Sequence, residues 1–444
     1  MNSQEYKFSM FAKAIELDNQ ELILYSSYLG IDKAVKISSE KAEKVKNWIS
    51  SVSVPCQDDD LFVQLITRGY FVDVDVDEKL LRQSLINTTV YDSSLNLVIH
   101  TTEDCNFRCE YCALDFVKRP LDENVANSII SFIRKNISHY SSVNISWFGG
   151  EPLLNMNAIE RISQEVMAIC KCARKNYSAS ITTNGYLLTP KNIDILYRCN
   201  VRTICVSIDG HKQTHDKQRH LVDGGATFDN IIKNLKFIRD NKALHMKVLI
   251  RTNVSAIVLP NLAEYYKYMD CEFGNDKRFS LFMRLASDWG GDRINNMRHS
   301  LLTESAYAQI FNILNSQKGN LSYEMNANDF EPAGSVCSAM KRNKFTIAVD
   351  GSITKCDTPG DPIGYLNDNG EMVIDEKLHC LWSMPSYLAS NQCDNCFFSC
   401  ACFMGTCPKN MINNKNNYLC HGFMQGFNQN FKMLCQAREI YTIQ

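Results

Sequence analysis

The sequence predicts an α/β protein: a partial TIM-like barrel of six βα units, preceded by a small α+β module and followed by a loop-rich, cysteine-rich segment. Three observations predict it. Apolar runs of strand length alternate with helical periodicity from about residue 94 to 316. Each run ends in a short cluster of polar, glycine or cysteine residues. Beyond about residue 330 the alternation stops, and Cys, Asn, Gly and Pro accumulate. The expected domains are 1–92, 93–320 and 321–444.

In the first segment, 21–29 has strand character, and 40–52 and 60–68 are spaced as helices. Residues 70–76 alternate apolar and acidic side chains (Phe71-Val72-Asp73-Val74-Asp75-Val76), which suits an edge strand; 77–86 returns to helical spacing. The six barrel strands are placed at 95–101, 144–148, 178–183, 203–208, 246–252 and 279–285. Helical patterns at 123–138, 158–174, 191–198, 226–241 and 262–269 separate them, and a further one at 304–315 closes the series. Right-handed crossovers make such strands parallel, and six of them curl into part of a barrel. In the last segment, 345–349 is a short strand, and the loops around it need staples to hold their shape.

The whole chain sets further bounds. Its 444 residues, 45% hydrophobic and 22% charged, describe an ordinary soluble composition with ample core. A net charge of -2 and the absence of Lys/Arg runs give no footprint for nucleic acid. Residues 1–14 do not have a signal-peptide pattern, and no apolar stretch reaches the roughly 18 residues of a membrane span. The expected location is the cytoplasm. The 19 cysteines are the outlier; in a long chain without a secretion signal, they indicate metal rather than disulfides.

The unusual residues fall at the C-terminal ends of the expected strands, where barrels of this kind build their active sites. Cys105, Cys109 and Cys112 follow the first strand in the run Cys-Asn-Phe-Arg-Cys-Glu-Tyr-Cys. Three thiolates on a four-iron cube leave one iron open, whereas an electron-transfer cluster is normally ligated by four. The alternatives are a zinc knuckle, although zinc favours four ligands in CxxC pairs, or unrelated buried thiols. Tyr111 sits inside this loop, either near a bound cofactor or as a packing residue.

Gly149-Gly150-Glu151-Pro152 follows the second strand; its glycines allow close backbone approach and its turn suits an amino acid's ammonium and carboxylate. Glu151 either binds that ammonium or braces the loop. Thr183-Asn184-Gly185 ends the third strand, with Asn184 a further candidate cofactor contact. Ser207-Ile208-Asp209-Gly210 ends the fourth, followed by His215, Asp216 and Arg219. A strand-end hydroxyl suits a ribose and a guanidinium suits a carboxylate. Asp209 is either a ligand or a turn residue before Gly210, and the irregularly spaced histidines suit hydrogen bonding better than metal. Arg251-Thr252-Asn253 and Arg284 end the last two strands.

In order and spacing, these motifs over about 94–316 resemble the radical S-adenosylmethionine (SAM) core. The resemblance implies a [4Fe–4S] cluster on Cys105, Cys109 and Cys112 whose open iron is chelated by SAM. It implies that residues 149–152 hold the ammonium, Ser207 the ribose and Arg219 the carboxylate, and that a 5′-deoxyadenosyl radical is released for hydrogen abstraction. The later cysteines are similar to the SPASM extension of such enzymes, which binds auxiliary clusters. By that resemblance Cys393, Cys396, Cys402 and Cys420 hold one [4Fe–4S] cluster, and Cys337, Cys356 and Cys407 hold a second. Four residues rather than three separate Cys402 from Cys407, and the second set either leaves an iron open or is completed by a group such as Cys380 or Cys400. A structural zinc site is the alternative for both.

Asp357, directly after Cys356, is the candidate catalytic base by likeness to sulfatase-maturing relatives, or else a turn residue. SPASM relatives act mostly on ribosomally made peptides. The resemblance therefore implies a maturase that installs a thioether or carbon–carbon crosslink in a precursor peptide. The leader of that peptide would dock on the edge near 70–76, unless the N-terminal module simply caps the barrel, and a flavodoxin- or ferredoxin-like protein would supply electrons. Two other readings stand beside it: a formylglycine-forming sulfatase maturase, and a non-catalytic peptide-binding or electron-transfer scaffold.

Overall fold

The computed structural model describes residues 4–56, 58–303, 305–324, 327–358, 360–384, 391–404, 407–413, 427–436 and 440–443. The chain forms two compact units. One comprises residues 93–325 and 343–380; the other comprises 1–92, 326–342 and 381–444.

The second unit begins with strands β1 (Glu5–Phe8), β2 (Ala12–Glu16), β3 (Leu22–Ser26), β4 (Val35–Ile37), β5 (Val54–Pro55) and β6 (Phe71–Asp73) and helices α1 (Ser39–Ser50), α2 (Asp60–Thr67) and α3 (Glu78–Val90). β5, β1 and β6 form a three-stranded sheet in that order, with β6 at an edge. The edge strand expected over 70–76 is thus three residues long. It stops because the Val76 N–H turns back to the Asp73 carbonyl at 3.0 Å. Asp77 then caps α3 by accepting the Leu80 N–H at 3.2 Å. Trp48, Phe62, Tyr70 and Phe71 fill the core beneath these elements.

The barrel unit is built on β7 (Leu95–His100), β8 (Ser142–Phe148), β9 (Asn176–Thr183), β10 (Val201–Ser207), β11 (Lys247–Val254) and β12 (Phe279–Leu285). All six run parallel, each pairing with its sequence neighbour. The helices are α4 (Glu123–Asn136), α5 (Met156–Ala173), α6 (Pro190–Arg198), α7 (Lys212–Gln218), α8 (Phe228–Asp240), α9 (Leu262–Phe273) and α10 (Ala306–Ser316). Strand alternation separates the two faces. Leu97, Ile99, Ile145, Trp147, Ile181 and Val206 are buried. The alternate positions form a polar ladder, in which Asn144 donates to Asn96 at 3.1 Å and Ser178 donates to Asn144 at 2.6 Å.

The sheet continues beyond six strands. β13 (Ser322–Glu324) joins β12 in parallel, and β14 (Lys344–Ile347) joins β7 in parallel. β15 (Ser352–Thr354), β16 (Gly364–Leu366) and β17 (Met372–Ile374) then extend it antiparallel, giving eleven strands. Pairing with β7 is why residues 343–380 fold with the barrel, while 326–342 and 381–444 do not. Those flanking parts complete the other unit: β18 (Tyr441–Ile443) pairs in parallel with β4. Phe330, Phe398 and Phe431 pack there with Ile15, Ile23 and Tyr25, and the Tyr25 hydroxyl donates to the Phe330 carbonyl at 2.9 Å.

Candidate active site

The loop carrying Cys105, Cys109 and Cys112 leaves the C-terminal end of β7 and is held from two sides. On one side it forms a short antiparallel ladder with the chain after α7: the Arg108 N–H donates to the His220 carbonyl at 2.9 Å and the Glu110 N–H to the Gln218 carbonyl at 3.0 Å. On the other it meets the turn after β8. The Gly150 N–H donates to Thr102 O and the Glu151 N–H to Asp104 O, both at 2.9 Å. This contact requires both glycines. A Cβ on Gly149, whose φ is +129°, would lie 2.3 Å from Thr102 O, and one on Gly150 would lie 2.1 Å from Asp104 O. The close approach expected of these glycines is made to the cysteine loop's own backbone.

Glu151 is fully buried. One carboxylate oxygen accepts from the Leu153 N–H at 3.1 Å and the Thr183 hydroxyl at 2.7 Å; the other accepts from the Asn184 N–H at 2.8 Å. Burial lifts its pKa above the ordinary carboxylate range, and the hydrogen bonds oppose that lift. Of the two roles expected for Glu151, bracing is the one this geometry displays: it ties the turn after β8 to the end of β9. Pro152 continues the brace, its carbonyl accepting from the Thr101 hydroxyl at 3.0 Å. Asn184 turns its amide to the cysteine loop, donating to Asn106 Oδ1 at 2.7 Å and lying 3.9 Å from Cys105 Sγ.

A second network joins the cysteine loop to β10 and β11. The Tyr111 hydroxyl donates to Asp209, accepts from Arg219, and accepts from Asn253 Nδ2 at 3.0 Å. Asp209 also accepts the Asn253 N–H at 2.9 Å, and its carboxylate lies 3.6 Å from the Arg219 guanidinium. Its own N–H donates to His215 Nδ1 at 3.1 Å, while His215 Nε2 meets the Thr227 hydroxyl at 3.1 Å. Burial holds the His215 imidazole well below its usual pKa, so it is neutral. Ser207 is buried at the end of β10. Tyr111, Asp209 and Arg219 thus meet in one cluster. Asn253 and Thr227 complete it; the strand-end position of Asn253 was its only signal in the sequence.

The donor set fits an iron–sulfur cluster. Cys105 and Cys109 are buried and Cys112 half-buried. Burial pushes the Cys105 thiol up to about 12 and Cys109 to about 11, so a bound cation must offset the cost of three thiolates here. A zinc ion would gather sulfur ligands about 2.3 Å from one centre. A cube of irons places each thiolate on a different iron and spaces them more widely. Arg219 adds a buried Nε with no hydrogen-bond partner among the described residues, available to a polar ligand beside the loop.

Asp357 lies in the barrel unit after β15. It accepts from the Lys344 ammonium and from the Thr346 hydroxyl, the latter at 2.8 Å. Lys344 also donates to the Lys355 carbonyl at 2.6 Å and its side chain is buried. The aspartate is therefore the counter-charge of a buried lysine, a role the sequence did not signal. Of the later cysteines, Cys356 belongs to the barrel unit; Cys337, Cys393, Cys396, Cys402 and Cys407 belong to the other. Cys420 lies outside the described residues.

Residues 99–258 match the Radical SAM superfamily model. The radical SAM cyclopropyl synthase TigE of Paramaledivibacter caminithermalis is 31% identical over 176 residues, 36% of this chain and 35% of that enzyme, so the chain spans about a third of that relative's length. The serine-type anaerobic sulfatase-maturating enzyme of Bacteroides thetaiotaomicron is 25% identical over 366 residues, covering 73% of this chain and 86% of that protein. Among solved structures, anSMEcpe with bound AdoMet and Cp18Cys peptide superimposes with a TM-score of 0.59 at 17% identity, covering 78% of this chain and 97% of that one. Streptococcus suis SuiB bound to precursor peptide SuiA gives 0.50 at 15%, covering 92% and 97%. These two likenesses concern the fold. No helix among the described residues is long and apolar enough to cross a membrane.

Proposed function

With residues 99–258 identified as a radical SAM domain, which implies SAM and a [4Fe–4S] cluster, we propose that the chain is a peptide maturase. It would abstract hydrogen from a ribosomally made precursor peptide and install a thioether or carbon–carbon crosslink. Cys105, Cys109 and Cys112 would hold the cluster. Residues 149–152, Ser207 and Arg219 would surround SAM, with Tyr111, Asn184 and Asp209 fixing the loops that carry them. Bound there and reduced, the cofactor pair supplies a 5′-deoxyadenosyl radical; the protein's part is to orient it and exclude water. Cys393, Cys396, Cys402 and Cys420 would hold an auxiliary [4Fe–4S] cluster. β6, at the edge of its sheet among the described residues, would accept the leader as an added strand, and a flavodoxin- or ferredoxin-like donor would reduce the SAM cluster.

The observation that carries the catalytic part is the bracing of the three-cysteine loop by Glu151 and by the Tyr111–Asp209–Arg219 cluster. The likeness to a sulfatase maturase over 86% of that protein's length favours a peptide or protein substrate. The test is anaerobic incubation of the reconstituted enzyme with SAM, reductant and candidate precursor peptides, read by mass spectrometry. A crosslinked product lacks two hydrogens, and fragmentation locates the new bond. Failure to cleave SAM under these conditions overturns the proposal, as would unimpaired cleavage by the C105A/C109A/C112A variant.

The same likeness, together with Asp357, favours formylglycine formation on a Ser or Cys as the second reading. Asp357→Asn should abolish that reaction, but it also strips Lys344 of its counter-charge. The K344M/D357N double variant separates the two effects. A base lost stays lost in the double variant, whereas a purely structural defect is relieved.

A further inference from the structure

We propose that Arg82, on α3, is a positioning residue for the auxiliary cluster, fixing the loop that presents Cys393, Cys396 and Cys402 and raising the cluster's reduction potential with its charge. The inference rests on the auxiliary-cluster reading above. Arg82 comes from the N-terminal segment, far from these cysteines in sequence, and its side chain is only 6% exposed. One guanidinium nitrogen donates to Asp394 O at 3.1 Å and to Ser399 Oγ at 3.0 Å, with Cys393 O at 3.5 Å. These partners bracket the ligand loop: Cys393 and Asp394 at its start, and Ser399 at the head of the helix Ser399–Cys402 that carries the third thiol.

The surroundings suit a negatively charged cluster. A second cation, Lys13 on β2, lies beside the same loop. Lys13 Nζ lies 4.6 Å from the centre of the Phe397 ring. Two carboxylates oppose them. Asp394 sits 3.8 Å from the guanidinium, but its side chain is more than half exposed and water screens it. Glu78 is engaged by the Ser9 hydroxyl and by the Met10 N–H at 3.0 Å. The ligating thiolates and the iron–sulfide core would gain a further negative charge on reduction, so a fixed, desolvated cation nearby favours the reduced form. The N-terminal segment thus serves the iron chemistry as well as any peptide.

The experiment uses the full chain, anaerobically reconstituted in the C105A/C109A/C112A background so that only auxiliary iron remains. Iron and sulfide content and the midpoint potential by redox-titrated electron paramagnetic resonance are read for the background protein, R82Q and R82K. R82Q is expected either to shift the potential to more negative values or to lose the cluster, while R82K, which keeps the charge, returns both toward the background protein. Equal potentials and iron in R82Q and the background overturn the proposal, as does an R82K no better than R82Q. Adding C393A/C396A to the background tests the underlying reading separately: unchanged iron there means that no cluster is held by these cysteines.

Discussion

Gly150→Ala probes the contact on which the site is built. The new methyl would lie 2.1 Å from Asp104 O, 2.6 Å from Asp104 C and 2.8 Å from Glu103 O, all backbone atoms without a rotamer to yield. An ordinary carbon–oxygen contact needs about 3.3 Å, so the turn and the cysteine loop must part by roughly 1.2 Å. That opening breaks the 2.9 Å bonds from Gly150 N–H to Thr102 O and from Glu151 N–H to Asp104 O. Two net hydrogen bonds are worth about 1–3 kcal/mol, and overpacking adds about 1–3 kcal/mol. At about 1.4 kcal/mol per decade, even 2 kcal/mol lowers the closed arrangement about thirtyfold. The expected result is less iron and sulfide after anaerobic reconstitution, and hence less SAM bound per chain. If the glycine instead made room for SAM, iron would stay and only SAM affinity would fall. Wild-type iron content together with wild-type SAM affinity would refute the reasoning.

Glu151→Gln places an amide among three donors, so a buried N–H must face another donor; a loss of about 1–3 kcal/mol should appear as a lower apparent melting temperature, and an unchanged melting curve contradicts it. Tyr111→Phe removes the hydroxyl shared by Asp209, Arg219 and Asn253. SAM affinity by calorimetry should fall about tenfold or more with iron retained, at about 1–3 kcal/mol for a buried network, and equal affinity counts against the cluster's role. His215 is buried neutral, with its folded pKa held below the unfolded value of 6.5. The unfolded chain therefore binds the extra proton, and stability is lost as pH falls below about 6.5, by up to about 1.4 kcal/mol per pH unit. Denaturant midpoints of the apoprotein at pH 7.5 and 5.5 should differ more for wild type than for His215→Gln; identical differences would assign the pH sensitivity elsewhere.

Local pattern was enough for the barrel and for which residue clusters lie at its rim. The six expected strands appear in order because each is an apolar run whose helical neighbour signals its end. The clusters at 105–112, 149–152, 183–185 and 207–210 follow those ends by topology alone. Roles within the clusters were less legible. Whether Glu151 binds or braces depends on Thr183 and Asn184, a full βα unit away, and nothing in Gly-Gly-Glu-Pro encodes them. Asp357 is similar: its lysine partner lies thirteen residues upstream, where only the pairing of β14 with β7 gives Lys344 its buried setting. The N-terminal strands β1 and β2 were missed because short, weakly alternating segments carry little periodic signal.

The chain's linear order determined which residue types gather at the mouth of the barrel, since strand-then-loop succession is a short-range property. Three-dimensional pairing alone decided that residues 343–380 extend the barrel sheet, while β18 and the aromatic side chains Phe330, Phe398 and Phe431 complete the fold begun by residues 4–92. The reason is energetic. A three-residue strand or a lone buried guanidinium gains its stability from partners hundreds of residues distant, and no local propensity records who those partners are.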